Sequence, residues 1–264
     1  MASQQLRSTS LPLRPHALVQ ELEDELQRIR SGAAASSASS ASPSPAALAA
    51  RLGDAYGRVE ELVGLPGGRD ALSGARWRRA VEHELDASVA VLDLCQRARD
   101  AAASARQHVR AARCALRRGD AAAAKAAMRG YARCLAKAGK QSGSSTKKRA
   151  PATTEAAPAA VRVLSEAVAV TVAVLQRAMA SLSARAAAAD TRSTRWRVVP
   201  KLLLLRREWS LGVCKEMDGD DGVARAQEML EELEDSIDGV ESGLEHLFRH
   251  IVRSRVALLN VLTL

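Results

Sequence analysis

Histidine is the side chain best suited to metal binding or proton transfer near neutral pH, and the chain has five: His16, His83, His108, His246 and His250. Only His246 and His250 stand four apart, a spacing that puts two imidazoles on one helix face and suits two ligands of a divalent metal. No third ligand accompanies them, so they are read as solvent-facing or partner-facing. Glu82, Glu84 and Asp86 alternate around His83. Carboxylates favour the positive end of a helix, so these three are expected in the acidic first turn of a long helix rather than in a proton relay. Cys95, Cys114, Cys134 and Cys214 are 19, 20 and 80 residues apart, with no CxxC or Cys/His metal spacing. They read as reduced thiols on packed helix faces. The sequence also lacks GxxxxGK[ST], GxGxxG, GxSxG and HExxH, each of which carries a defined chemistry. The expectation is a non-enzymatic chain with no catalytic, cofactor-binding or metal-binding residues and no cofactor.

One modification motif stands out. In Arg7-Ser8-Thr9-Ser10-Leu11-Pro12, an arginine lies three before Ser10 and a proline two after it. That arrangement suits a basic-directed kinase, and phosphate on Ser10 would add about −1.5 to −2 charge. The pattern resembles the ligand of phosphoserine-reading adaptors, which grip phosphate through arginine clusters. Ser10 is therefore a candidate phosphosite. Trp196 stands among Arg192, Arg195, Arg197 and Lys201, and Trp209 follows Arg206 and Arg207. Such Trp residues suit either a lipid-headgroup interface or packing beneath snorkelling arginine stems.

The elements that position these residues follow from composition and period. Of 264 residues, 53 are Ala and six are aromatic. Sheet folds need more β-branched and aromatic side chains, whereas Ala, Leu, Arg and Glu are helix formers. The fold class is all-α. Residues 1–14 read as a flexible N-terminal arm. Leu18, Leu22, Leu26 and Ile29 share one face of a first helix, which Gly32 is expected to end. Ser31 to Pro45 is a low-complexity linker. Leu48, Leu52, Tyr56, Val59 and Val63 mark a second helix that stops at Pro66-Gly67-Gly68.

From about Leu85 to Arg118, the residues Cys95, Ala98, Ala102, Ala105, Val109, Ala112 and Leu116 alternate steps of three and four. Such an Ala-rich heptad seam lets another helix approach closely. Arg99, Arg106, Arg110, Arg113 and Arg117 flank it. Gly119-Asp120 breaks the helix, and Ala121 to Ala138 resumes it. A second linker is expected over about 139–158. Val161 to Ala189 reads as a central apolar helix, and Met217 to Gly222 as a turn. In the last segment, Leu230, Leu233, Ile237, Val240, Leu244, Leu247 and Ile251 repeat the three-four step, continued by Ser254, Leu258 and Val261. A long helix from Ala224 to Leu262 in a coiled-coil-like pairing is expected. Leu230, Ile237, Leu244, Phe248 and Ile251 are its packing or interface anchors, and the sequence leaves open which.

Charge is segregated. The net charge is +9; residues 97–149 hold 15 Lys or Arg against two acids, and residues 216–245 hold 12 acids and Arg225. Oppositely charged flanks favour pairing of the two helices within one bundle. The alternative is a basic surface for anionic lipid or nucleic acid. Neutralisation by the acidic helix argues against a polyanion, and against nucleic acid in particular. No signal peptide is evident. The most apolar stretch, Val161 to Ala180, contains Arg162, Glu166, Gln176 and Arg177, so no spanning helix of about 20 apolar residues is expected. The protein is read as soluble or membrane-peripheral, in the cytoplasm ahead of nucleus or plastid.

Ser10-Leu-Pro-Leu-Arg-Pro-His16, Val91-Leu-Asp-Leu-Cys95 and Leu247-Phe-Arg-His-Ile-Val-Arg-Ser-Arg-Val-Ala-Leu-Leu-Asn260 resemble the plant domain of unknown function 241 family, also called the BYPASS-related family. Leu62-Val-Gly-Leu-Pro66, Leu116-Arg-Arg-Gly-Asp120 and Trp196 add to the likeness, which runs in order from about residue 7 to 264. The low-complexity runs at 31–45, 121–127 and 186–189 depart from the family pattern. The resemblance implies a helical plant protein without established catalysis, linked with root and shoot development and with control of a root-derived mobile signal. It supplies no catalytic or ligand residues.

Together these readings give an elongated helical bundle over residues 15–264, with disordered linkers and a long C-terminal coiled-coil-like helix. Its expected work is regulation through protein partners on helical faces, with a phosphoserine-reading adaptor at Ser10 and self-association as further contacts. The alternative is a peripheral membrane protein that binds anionic lipid through the basic middle region.

Overall fold

The computed structural model describes residues 15–35, 43–146, 157–188 and 220–263. Among them are seven helices and no strand: α1 (Pro15–Ala34), α2 (Pro45–Gly64), α3 (Pro66–Ser73), α4 (Arg78–Arg117), α5 (Ala121–Thr146), α6 (Ala159–Ala188) and α7 (Asp220–Thr263). The all-α class read from composition is the observed one.

Local chemistry sets several boundaries. Ser44 caps α2, its hydroxyl accepting from Ala47 N–H at 3.1 Å, and Pro45 fills the first turn, where a missing N–H costs nothing. Gly119 sits at φ 74°, a left-handed conformation that favours glycine. There Asp120 N–H donates to Ala115 O at 2.9 Å and Gly119 N–H to Leu116 O at 2.9 Å, closing α4. The Asp120 carboxylate then accepts from Ala123 N–H at 2.9 Å and opens α5. One Gly-Asp step therefore folds α5 back along α4.

Other boundaries differ from the sequence reading. Gly32 does not end α1, which continues to Ala34. A Cβ at Gly32 would lie 3.0 Å from Leu48 and Pro43, so the glycine serves close packing rather than termination. Pro66 does not simply stop α2 but starts the short helix α3, because its fixed φ is already helical. α4 begins at Arg78, seven residues before Leu85. α5 runs through Gly139 to Thr146, so the second linker is shorter than expected: buried Leu135 and Ala138 hold the helix past the glycine. α7 already includes Asp220 to Gly222, so the expected turn at Met217 to Gly222 is helical in its last three residues. Residues 1–14, 36–42, 147–156, 189–219 and 264 lie outside the described residues, and with them Ser10, Trp196, Trp209, Cys214 and about half of each expected linker.

The long ion pairs give the helix directions. Arg51 meets Glu25 and Arg58 meets Glu21, so α1 and α2 are antiparallel. Arg162 meets Glu23 and Arg30 meets Glu166, so α1 and α6 run alike. α6 packs on α1, α2, α4 and α5, a central position set by its apolar surface. It also corrects the hydropathy reading. Ala159–Ala184 is long and apolar enough to cross a membrane, with mean hydropathy 1.6, because Ala and Val outweigh its three charges in a window average. Here 56% of its most apolar 18-residue window is buried inside the protein. Arg162 and Glu166 are ion-paired, and Arg177 donates to Ala35 O. Tyr56 Oη and Thr171 Oγ1, 3.0 Å apart, satisfy two buried hydroxyls between α2 and α6. One apolar cluster runs through all seven helices.

Candidate functional site: the two flanks of the C-terminal helix

α7 carries most of the residues singled out in the sequence. It has 44 residues, about 66 Å at roughly 1.5 Å per residue. Leu230, Ile237, Leu244 and Ile251 are at most 1% exposed and point into the core with the rest of the heptad seam, Ser254 included. Burying each such aliphatic side chain contributes roughly 1.5–3 kcal/mol. Phe248 is half-buried, with the Arg99 guanidinium 5.2 Å over its ring. The favourable geometry of a cation over an aromatic face joins α4 to α7 there.

On one flank α7 lies antiparallel to α4. Every seam residue of α4 from Cys95 to Leu116 is buried, and its alanines admit α7. Beside that seam runs a ladder of charge. Arg99 pairs with Glu245, Arg106 with Asp238 at 3.1 Å and Glu241 at 2.9 Å, and Arg113 with Glu231 at 3.2 Å. Glu234 is the best-enclosed carboxylate of the row. Arg110 Nε donates to one of its oxygens at 2.6 Å, and Arg113 donates to the other. These bonds, the one from Arg110 first, hold the Glu234 carboxyl below the usual carboxylate range against the opposing effect of burial. Glu245 is lowered as well, first by the hydrogen bond from Arg249 and then by Arg99. Arg99, Arg106, Arg110 and Arg113, four of the five arginines expected beside the seam, are thus paired with α7 acids, the pairing that the segregated charge favoured.

On the other flank α7 runs parallel to α2 and packs on it through glycines. A Cβ on Gly243 would stand 2.8 Å from the Ala46 carbonyl oxygen and 3.1 Å from Ala49 Cβ. His246 lies so tightly on Gly53 that a Cβ there would overlap its ring, and His250 lies over Gly57. His246 Nε2 is 2.9 Å from Asp54 Oδ1, and the two imidazole centroids are 4.6 Å apart. The pair read from sequence as solvent-facing or partner-facing is therefore an intramolecular contact with α2. Its i,i+4 spacing fills the steps left by two glycines. His250 Nδ1 is buried with no hydrogen-bond partner. Burial, then the neighbouring His246 and Arg253, push the His250 imidazole below its ordinary range, partly offset by Asp54 and Glu60. The described residues hold no group of three or more His, Cys, Asp or Glu arranged to hold a metal.

Other candidates resolve into packing. Glu84 is not in a first turn, because α4 starts six residues earlier. It is 3% exposed and accepts from Ser165 Oγ at 2.9 Å, with His83 Nδ1 3.4 Å away. Arg255 crosses from α7 to donate to Leu85 O and to Ser88 Oγ. His108 packs on Gly130 of α5. Burial pushes the Cys95 thiol up to about 12, which leaves it protonated and unreactive, and raises Cys134 too; Cys114 is exposed. A cleft of about 450 Å³ opens where α1, α3 and α6 begin, lined by His16, Glu23, Gly67, Gly68 and Arg162. Its guanidinium is already matched by Glu23 at 3.0 Å.

Sequence reasoning missed the α2 flank. The signal was present as two pairs of glycines four apart, Gly53/Gly57 and Gly239/Gly243. A four-residue repeat of small side chains marks a helix face that a neighbour can approach.

A family model described as Protein BPS1 matches residues 50–261. No curated protein and no solved structure matches the chain.

Proposed function

Because this chain belongs to the BPS1 family, a plant family of non-catalytic developmental regulators, we propose that it acts as a non-enzymatic helical interaction factor whose partner is a protein. The observation that supports this reading is an exposed apolar strip at the far end of the α4–α7 pair. Val252, Val256 and Leu259 are spaced i, i+4, i+7 on α7 and are 37%, 51% and 40% exposed. Arg255 ties this part of α7 to Leu85 and Ser88, beside the exposed Val89 of α4. Grouped exposed aliphatic residues on a helix face suit the apolar side of a partner helix. The opposite seam of the same helix segment, through Leu258 and Val261, is spent on the core.

The test is Val256→Asp with Leu259→Asp in the full chain. Both residues face solvent, so helicity and melting temperature should stay within the range of ordinary surface changes, about 0.5 kcal/mol. The variant should accumulate normally yet fail to rescue plants that lack the wild-type protein. Full rescue by a folded variant would remove this strip as the contact. Light scattering of both proteins separates self-association from binding to another chain.

A further inference from the structure

We propose that the outer face of α5 is a docking surface for a bilayer carrying anionic phospholipid. α5 contains no Asp or Glu, and its five cations, Lys125, Arg129, Arg133, Lys137 and Lys140, fall four, four, four and three residues apart. At 100° per residue that spacing makes one row about 22 Å long. The row lies opposite the buried face formed by Ala124, Met128, Tyr131, Leu135 and Ala138. Arg129, Arg133, Lys137 and Lys140 are exposed and Lys125 is half-exposed. Among the described residues none of the five has a carboxylate partner.

The α4–α7 ladder sharpens the point. Five acids of α7 (Glu231, Glu234, Asp238, Glu241 and Glu245) pair with α4, which packs against both α7 and α5, and α5 packs on α4 and α6 alone among the larger contacts. Neutralisation of the basic middle region therefore stops at α4. The nearest acid in sequence, Asp120, caps the α5 N-terminus.

The chemistry of the row selects its partner. Between the cations the outer face carries Ala122, Ala126 and Ala136, with no large apolar anchor. An acidic protein would gain only exposed ion pairs there, which contribute little one at a time. The row has no aromatic side chain to stack on a base and no second row to meet the other strand of a duplex. A membrane surface instead offers diffuse negative charge in a plane. A band of long cations on short alanines, covering about 120° of the helix at 100° per residue, turns one face toward that plane. This goes beyond the protein-contact reading and stands apart from it, since α5 and the apolar strip are different surfaces.

The experiment uses the full-length protein and vesicles of phosphatidylcholine with or without phosphatidylserine. Wild type should co-sediment only with phosphatidylserine vesicles and be released as salt rises. Replacing Arg129, Arg133 and Lys137 with Gln should lower partitioning by about a hundredfold, near fivefold per charge, with unchanged helicity by circular dichroism. Arg129→Lys with Arg133→Lys should bind as wild type. Absence of low-salt binding to phosphatidylserine vesicles would overturn the proposal. So would wild-type sedimentation of the triple Gln variant, or binding to a duplex oligonucleotide in preference to the vesicles.

Discussion

Toward α4, α7 presents carboxylates at the ends of flexible side chains. Toward α2 it presents glycines and two imidazoles. The first flank fixes helix register by charge: each arginine from Arg99 to Arg113 meets its acid in antiparallel order. The second fixes register by shape, since His246 and His250 seat on Gly53 and Gly57 only in one alignment. The difference teaches where the molecule is tolerant. Charged side chains can re-aim and can be screened by salt. A backbone carbonyl in van der Waals contact with a glycine has nowhere to go.

The largest effect is therefore expected on the α2 flank. Gly243→Val would drive two methyl groups toward Ala46 O and Ala49, and should lose about 3 kcal/mol in urea denaturation. A loss under 1 kcal/mol would mean that α2 can slide, and shape would not set the register. The middle-sized effect lies on the α4 flank. Glu234→Gln leaves Arg110 without its charge partner and Arg113 with Glu231 alone, and should lose about 1–2 kcal/mol near neutral pH, discounted for the exposure of Arg110. The folded-state pKa of Glu234 is lowered. Its contribution is therefore fully present above the ordinary Glu value, near 4.3, and is lost as pH falls through the lowered one. The gap between wild type and variant should close in that acid window, and also narrow in high salt. A gap that ignores both would assign Glu234 a packing role.

The smallest effect separates the flanks by pH. The folded-state pKa of His250 is lowered, chiefly by burial, so the unfolded chain takes up its proton first. Stability is present above the ordinary histidine value and falls as pH drops from about 7 toward 5. His250→Gln should flatten the fall in melting temperature over that window, which α4-flank carboxylates do not share. An unchanged slope would place the titration elsewhere.

Much of this architecture was legible in residue order because period survives without coordinates. Both heptad seams, the break at Gly119-Asp120 and the centrality of the apolar helix follow from local spacing and propensity. The helix ends were less legible. Gly32 and Gly139 are breakers by local rule, yet packing against Leu48 and the buried Leu135 and Ala138 outweighed that rule, whereas α2 does stop before Pro66, whose fixed φ then starts α3. The histidine pair was visible as a spacing, but its partner was not, because Gly53 and Gly57 are nearly 200 residues away in sequence.

Alternating apolar and charged residues fixed what kind of helices this chain forms and which two would attract. Burial against a neighbour is not a property of any one segment, so only the assembled bundle decided three further matters. It turned Leu230, Ile237, Leu244 and Ile251 inward, left Val252, Val256 and Leu259 outside, and set five acids of α7 against α4 while the cations of α5 stay without acid partners among the described residues.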